Sequence, residues 1–349
     1  HIDHRDHAMF KAVRDLTHAI GFAEDLLAES SPVQSPVALL LSETTLRWDV
    51  ASISGERGSP DWKAAVAANL RTTFQLERQG IHAALTALGT APDVVLESDC
   101  TTEGLAGRKL LVVVGDCLTE DLANRLDTWV RQGGTLLATA SAGRFDAQRK
   151  PHKAFDNLLG LAKRVSAEKD SLVRSQWELP GLTTVDAVAG PSWLLPALAV
   201  HERVEPAEGT QVVARFQSDN SPAVCFRTLG KGKVISVSAL PGLAALWTAS
   251  QPGEAPDLGE QSRKSPIRLD PGTRQLLEEA LNAADIQPVV RLELEAGKHL
   301  VDTRLIESEK GYVLPLVHHG KPETVPVTVR LRLPKAPAKV SSAWHGLLP

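Results

Sequence analysis

The chain has 349 residues, of which 43% are apolar and 23% charged, and a formal charge of -4. That length allows more than one core, the ordinary composition excludes wholesale disorder, and no basic field exists to hold nucleic acid. No apolar run approaches the roughly 20 residues that cross a bilayer as a helix, so neither a nucleic-acid nor a membrane partner is expected. Cys100, Cys117 and Cys225 are too scattered for a disulfide framework or a paired-cysteine metal site. Nothing in the residues assigns a compartment. The start at His1, the single methionine at Met9 and the stop at Pro349 just after an apparent strand read as a fragment of a longer protein.

From Met9 to Leu27, Phe10, Val13, Leu16, Ile20, Phe22 and Leu26 recur at helical spacing, and Ser30 to Pro36 reads as a linker. Val37 to Leu41 is an uninterrupted apolar run, the pattern of a strand covered on both faces, followed by a polar loop at Ser42-Glu43-Thr44-Thr45. Ser59 and Pro60 open a helix whose stripe is Trp62, Val66, Leu70 and Phe74, with an irregularity at Gly80 and a stop at Gly89. Asp93 to Glu97 and Leu110 to Val114 are strands, Thr119 caps a helix, and Thr135 to Ala140 is the next strand. Such alternation predicts a doubly wound parallel sheet.

Beyond Phe155 the pattern weakens. Gln211 to Phe216, Ala223 to Thr228 and Lys233 to Ala239 read as strands, the last two joined by Gly230-Lys231-Gly232. Asp270-Pro271 opens a helix. After Pro288, four alternating segments separated by short turns predict an antiparallel sandwich. The expected division is a lead-in helix and linker over 1–34, an α/β domain over 35–285 and a β-sandwich over 286–349.

VALLLSETT (Val37 to Thr45), LLVVVGDCLTEDLANRLDTWVRQGGTLLATASAGRFD (Leu110 to Asp146), FDNLLGL (Phe155 to Leu161), LGKGKVISV (Leu229 to Val237) and GYVLPLVHHGK (Gly311 to Lys321) resemble, in order, the trimerisation domain and small C-terminal β domain of family 42 β-galactosidases. The resemblance implies a flavodoxin-like fold, also that of class I glutamine amidotransferases, and a homo-oligomer, by family a trimer. It also implies a catalytic barrel ahead of this region. A barrel of about 250 residues cannot fit before Val37, so neither catalytic glutamate is assigned to this chain. The sequence has no Walker loop, GxGxxG fingerprint, HExxH or EF-hand loop, and no cofactor is implied.

In amidotransferases the nucleophilic cysteine stands on the turn that here reads Thr139-Ala140-Ser141-Ala142-Gly143. Ser141 is the substitute nucleophile to consider and Cys117 a second, each needing a neighbouring base, for which the nearby sequence offers only His152. A capping serine and a half-buried thiol are the simpler readings. Ser42, Glu43 and Asp116 follow strand ends, where open sheets place ligands, and with Trp48 and Ser141 they form a possible pocket or interface set. Trp48, Trp177, Trp193 and Trp247 read as loop residues able to stack on a sugar or contact a neighbouring subunit, whereas Trp62 and Trp129 lie on apolar stripes. His1, His4 and His7 are read as solvated rather than as metal ligands. The basic residues Arg144, Arg149, Lys150, Lys153, Lys163 and Arg164 read as a solvated face.

Overall fold

Three short apolar runs build the centre of the molecule because each is covered on both sides. The computed structural model describes residues 8–54, 73–169, 176–251, 269–294, 300–319 and 326–347. In it β2 (Val37–Leu41), β4 (Leu110–Val114) and β5 (Thr135–Ala138) run parallel and side by side. Alternate residues face opposite ways, as a pleated strand requires. Leu39, Leu110 and Val112 enter one core, while Leu40, Leu111 and Val113 enter the other.

The first core is closed by α4 (Thr73–Ala87), α7 (Pro241–Ser250) and α8 (Pro271–Ala283), which contribute Ile81, Leu85, Leu243, Leu276 and Leu277. The second is closed by α5 (Glu120–Arg131) and α6 (Lys153–Leu159) through Leu122, Leu126, Val130, Phe155 and Leu158. Gly80, an apparent irregularity in its helix, lies where α4 meets α7: a Cβ there would collide with the Gly242 carbonyl.

The sheet is not parallel throughout. Its nine strands run β3 (Asp93–Leu96), β2, β4, β5, β12 (Gly232–Val237), β11 (Pro222–Leu229), β10 (Gln211–Phe216), β7 (Thr184–Ala189) and β8 (Leu194–Leu198). The first five are parallel neighbours, and from β12 outward every pairing is antiparallel. The expected parallel sheet is therefore corrected to a mixed one. The cause is loop length: turns such as Gly230-Lys231 can only reverse the chain, whereas a parallel neighbour needs a long crossover. A two-stranded ribbon of β6 (Leu161–Lys169) and β9 (Val200–Pro206) lies beside the second half of the sheet.

Toward the C-terminus the strands form small antiparallel sheets. These are β13 (Val290–Glu293) with β18 (Thr328–Leu331), β14 (Leu300–Thr303) with β17 (Leu316–His319), and β15 (Ile306–Ser308) with β16 (Gly311–Val313). Part of the expected linker is itself a strand. β1 (Ser31–Pro32) pairs with Ile306 and Glu307, so the segment before residue 35 is tied to the C-terminal module. The leading helices α1 (Ala8–Phe22) and α2 (Glu24–Leu27) are present, and Phe10, Val13, Leu16, Ile20 and Phe22 on α1 are each at least half exposed. The start of the helix expected from Ser59, with Trp62, lies outside the described residues.

Candidate functional site

The carboxyl ends of the parallel strands bring together Ser42, Glu43, Trp48, Asp116, Cys117 and Ser141. A helix, α3 (Glu43–Ser54), begins directly after β2, so Glu43 is a half-buried first-turn residue and not part of a loop. Ser42 caps that helix: its Oγ accepts the Thr45 N–H at 3.0 Å and donates to Glu97 Oε1 at 2.7 Å. Glu97, buried just past β3, also accepts the Thr44 N–H at 3.0 Å and the Thr44 hydroxyl at 2.9 Å. A helix N-terminus at this edge is the usual seat of a bound anion. Here the chain's own carboxylate occupies it. Glu97 reads in sequence as the last residue of a strand, and nothing local marks its role.

Thr45 ties the next loop to the same helix. Its Oγ1 accepts the Cys117 N–H at 3.1 Å and donates to the Cys117 carbonyl at 2.9 Å. Gly115 makes the close approach possible, since its φ of 129° and the nearness of Thr45 leave no room for a side chain. The Cys117 thiol is pushed up to about 12, first by burial and then by the Asp116 carboxylate beside it. A thiol so shifted stays protonated at neutral pH and is a poor nucleophile.

Asp116 is buried and ion-paired with Arg149 at 3.4 Å. The Arg149 guanidinium lies over the rings of Trp48 and Phe145, 5.4 and 5.2 Å from their centroids. Trp48 is a half-buried residue of α3 rather than a loop residue, and its Nε1 donates to the Ala147 carbonyl at 3.0 Å. Its ring is already engaged.

Ser141 stands on the turn after β5 with φ 64°, a conformation uncommon outside glycine. Its amide donates to Glu202 Oε2 at 2.9 Å, and its buried hydroxyl has no hydrogen-bond partner among the described residues. His152 does not supply a base, since its imidazole faces the Thr119 carbonyl at 3.4 Å. The turn is instead held by ions. Glu202 Oε1 accepts from Arg164 at 3.2 Å and lies 3.5 Å from Arg144, and Arg164 also donates to Asp156 at 2.6 Å and to the Ala142 carbonyl at 2.7 Å. The Arg164 side chain is only 5% exposed. The basic cluster expected on a solvated face is thus partly internal, because Arg144, Arg149 and Arg164 each meet a buried carboxylate.

Trp247 and Trp193 are also committed. Trp247 is in α7 and donates to the Leu182 carbonyl at 3.0 Å. Trp193 stays in a loop but is buried and donates to Glu279 at 3.2 Å. Trp344 is 63% exposed.

These contacts tie the strand ends together through pairs of carboxylates and guanidiniums, with the Cys117 thiol held protonated and the Ser141 hydroxyl without a hydrogen-bond partner among the described residues. No curated protein matches the sequence. Among solved structures, the β-galactosidase from Bacillus circulans sp. alkalophilus aligns with 87% of this chain and 37% of its own length, at 14% identity and a TM-score of 0.56. A GH42 β-galactosidase from G. stearothermophilus aligns with 92% of this chain and 42% of its own, at 15% identity and TM-score 0.54. The β-galactosidase of the Antarctic haloarchaeon Halorubrum lacusprofundi aligns with 90% of this chain and 42% of its own, at 17% identity and TM-score 0.51. The likeness is one of fold, and the chain spans about two fifths of each of these proteins. The family model described as the β-galactosidase trimerisation domain matches residues 68–249, more than half of the chain. The chain therefore belongs to the β-galactosidase trimerisation-domain family.

Proposed function

We propose that this chain is the non-catalytic assembly region of a β-galactosidase-like glycoside hydrolase, forming a homotrimer and working with a catalytic barrel that lies outside these 349 residues. The observation that carries the reading is the family match over residues 68–249. It is supported by the strand ends, where Glu97 fills the anion seat of α3 and Glu202 takes the Ser141 amide. The parallel strand order β3-β2-β4-β5-β12 follows the flavodoxin-like order 2-1-3-4-5 and supports that class for the α/β part. We place the α/β domain at 35–285 and assign the small antiparallel sheets after it to a β-sandwich domain.

In the assembled protein the half-buried Trp48, Phe145 and Arg149 stack, held from below by buried Asp116 and with Glu43 at the start of the same helix as Trp48, is the surface we assign to contact with a neighbouring subunit or with the barrel. An amphipathic aromatic and arginine cluster is the composition favoured at such contacts. The test is light scattering on the purified chain with an aryl β-galactoside assay in parallel. A trimer without hydrolysis is the expected result. A monomer at micromolar concentration, or turnover by this chain alone, overturns the proposal.

A further inference from the structure

A second group of polar side chains lies between the antiparallel half of the sheet and the ribbon strand β9, on which His201 precedes Glu202. Asp186 on β7, His201 on β9 and Asp219 in the β10–β11 turn bring one ligand atom each to within 4.8 Å of one another. Both carboxylates are held in place by hydrogen bonds that leave lone pairs free. The Asp186 oxygens accept the Ala187 amide at 2.7 Å, the Ser218 amide at 3.2 Å and the Ser218 hydroxyl at 2.6 Å. Asp219 accepts the Ser221 amide at 2.9 Å and Arg203 Nε at 2.9 Å.

The anomaly is His201. The residue is 4% exposed, and its ring stacks at 3.8 Å, centroid to centroid, on Phe216. Nδ1 faces Asp186 Oδ2 at 3.7 Å, too far for a hydrogen bond, and this open gap is what an ion would fill. Nε2 has no hydrogen-bond partner among the described residues, a cost of about 1–3 kcal/mol that an ion on Nδ1 leaves in place. Two ligand atoms bound to one zinc ion at about 2.0–2.2 Å stand roughly 3.3 Å apart in a tetrahedral site, so the Nδ1 and Oδ2 pair needs a small adjustment and Asp219, within 4.8 Å of both, closes the rest.

We infer that Asp186, His201 and Asp219 form a binding site for a divalent transition-metal ion such as zinc. One imidazole and two carboxylates suit zinc, cobalt or manganese better than calcium or magnesium, which prefer oxygen alone. The site offers three protein ligands and leaves the remaining positions to water. Asp219, whose side chain is 32% exposed, supplies the movable ligand, while Asp186 and His201 are fixed within the fold. Arg203 balances the Asp219 charge in the ion-free form, so metal binding competes with that ion pair. An occupied site ties β7, β9 and the β10–β11 turn together and stabilises the folded chain by mass action.

The experiment is titration of the chelator-stripped full chain with Co2+, read by its visible absorption, and with Zn2+, read by calorimetry and thermal melting. A parallel variant, His1→Ala with His4→Ala and His7→Ala, removes the N-terminal histidines as an alternative site. The expected result is saturable binding of one ion per chain in the wild type and in that triple variant, with a Zn2+-dependent rise in melting temperature. His201→Gln and Asp219→Asn should each lose affinity at least tenfold. Asp219 lies in an exposed turn, so its variant serves if His201→Gln does not fold. Absence of saturable binding in the wild type overturns the inference, as does binding that survives Asp219→Asn and is lost in the triple variant.

Discussion

Ser141 and Glu202 lie 61 residues apart and are joined by one hydrogen bond, from the Ser141 amide to Glu202 Oε2 at 2.9 Å. That bond links the turn after β5 to the ribbon strand β9, and Arg164 completes the link through Glu202, Asp156 and Ala142. Removing the carboxylate leaves Arg164 buried with a single formal partner. Glu202→Gln should cost about 3 kcal/mol, the scale for breaking a buried pair from one side. Urea unfolding measures it, and a loss below about 1 kcal/mol, the scale of an exposed ion pair, would show that the network contributes little.

The serine itself makes a separate prediction. Its hydroxyl has no hydrogen-bond partner among the described residues, while its φ of 64° disfavours any side chain. Ser141→Gly should therefore stabilise the chain by about 1 kcal/mol, the cost of left-handed backbone for a residue with a Cβ. A destabilised variant would show that the hydroxyl does something the hydrogen-bond pattern omits.

Glu77 makes stability depend on pH. It is fully buried under α7, where its carboxyl oxygen accepts the Leu243 N–H at 2.7 Å, and burial raises its pKa from 4.5 to about 8 against the lowering effect of the backbone amides. The folded-state value is above the unfolded one. Between the two, the folded chain keeps a proton that the unfolded chain has released, so stability falls as pH rises through that window and levels off above it. The scale is at most about 1.4 kcal/mol per unit. Glu77→Gln keeps an acceptor for Leu243 and has no proton to lose. Urea midpoints compared at about pH 5 and about pH 9 should converge for the variant and diverge for the wild type. Parallel behaviour of the two proteins would sink this account.

What could be read from the residues follows from what each feature depends on. Val37–Leu41 and Leu110–Val114 are legible because burial on both faces leaves an unbroken apolar run. The hairpin at Gly230-Lys231 is legible because turn chemistry is local. Helix α3 is not: its start depends on Ser42 and on Glu97, 55 residues away, rather than on an apolar stripe. Ser42, Glu43 and Asp116 are legible from their place at strand ends, where the structure gathers them. Their partners Glu97 and Arg149 come from elements whose meeting no spacing reveals. Glu202 has the same difficulty, a lone acid in a strand whose value appears only beside Arg164. Trp48 and Trp247 read as loop residues yet lie in helices, because α3 lacks a strong stripe and α7 is apolar nearly all round.

Asp93 makes the last prediction, because it joins three segments. Its carboxylate pairs with Arg108 ahead of β4 and with Arg304 between β14 and β15, and it accepts the Ser35 amide at 3.1 Å. Arg304 in turn donates to the Val33 carbonyl at 2.9 Å, beside the β1–β15 pairing. Burial alone would raise the Asp93 pKa, but the hydrogen bonds from Arg108 and Arg304 outweigh it and hold the carboxyl below its ordinary range. The sign follows: the clasp is fully present above the ordinary carboxylate pKa and is lost as pH falls through the lower folded value. Asp93→Asn keeps the shape and removes the charge, which should cost about 1–2 kcal/mol for a partly exposed charged hydrogen bond. The loss should be local. Hydrogen exchange should quicken at Val33, whose amide donates to the Leu305 carbonyl, and at Ile306–Ser308, while β2, β4 and β5 keep their protection. Equal quickening in both regions would mean that Asp93 supports the whole fold and does not clasp the C-terminal module in particular.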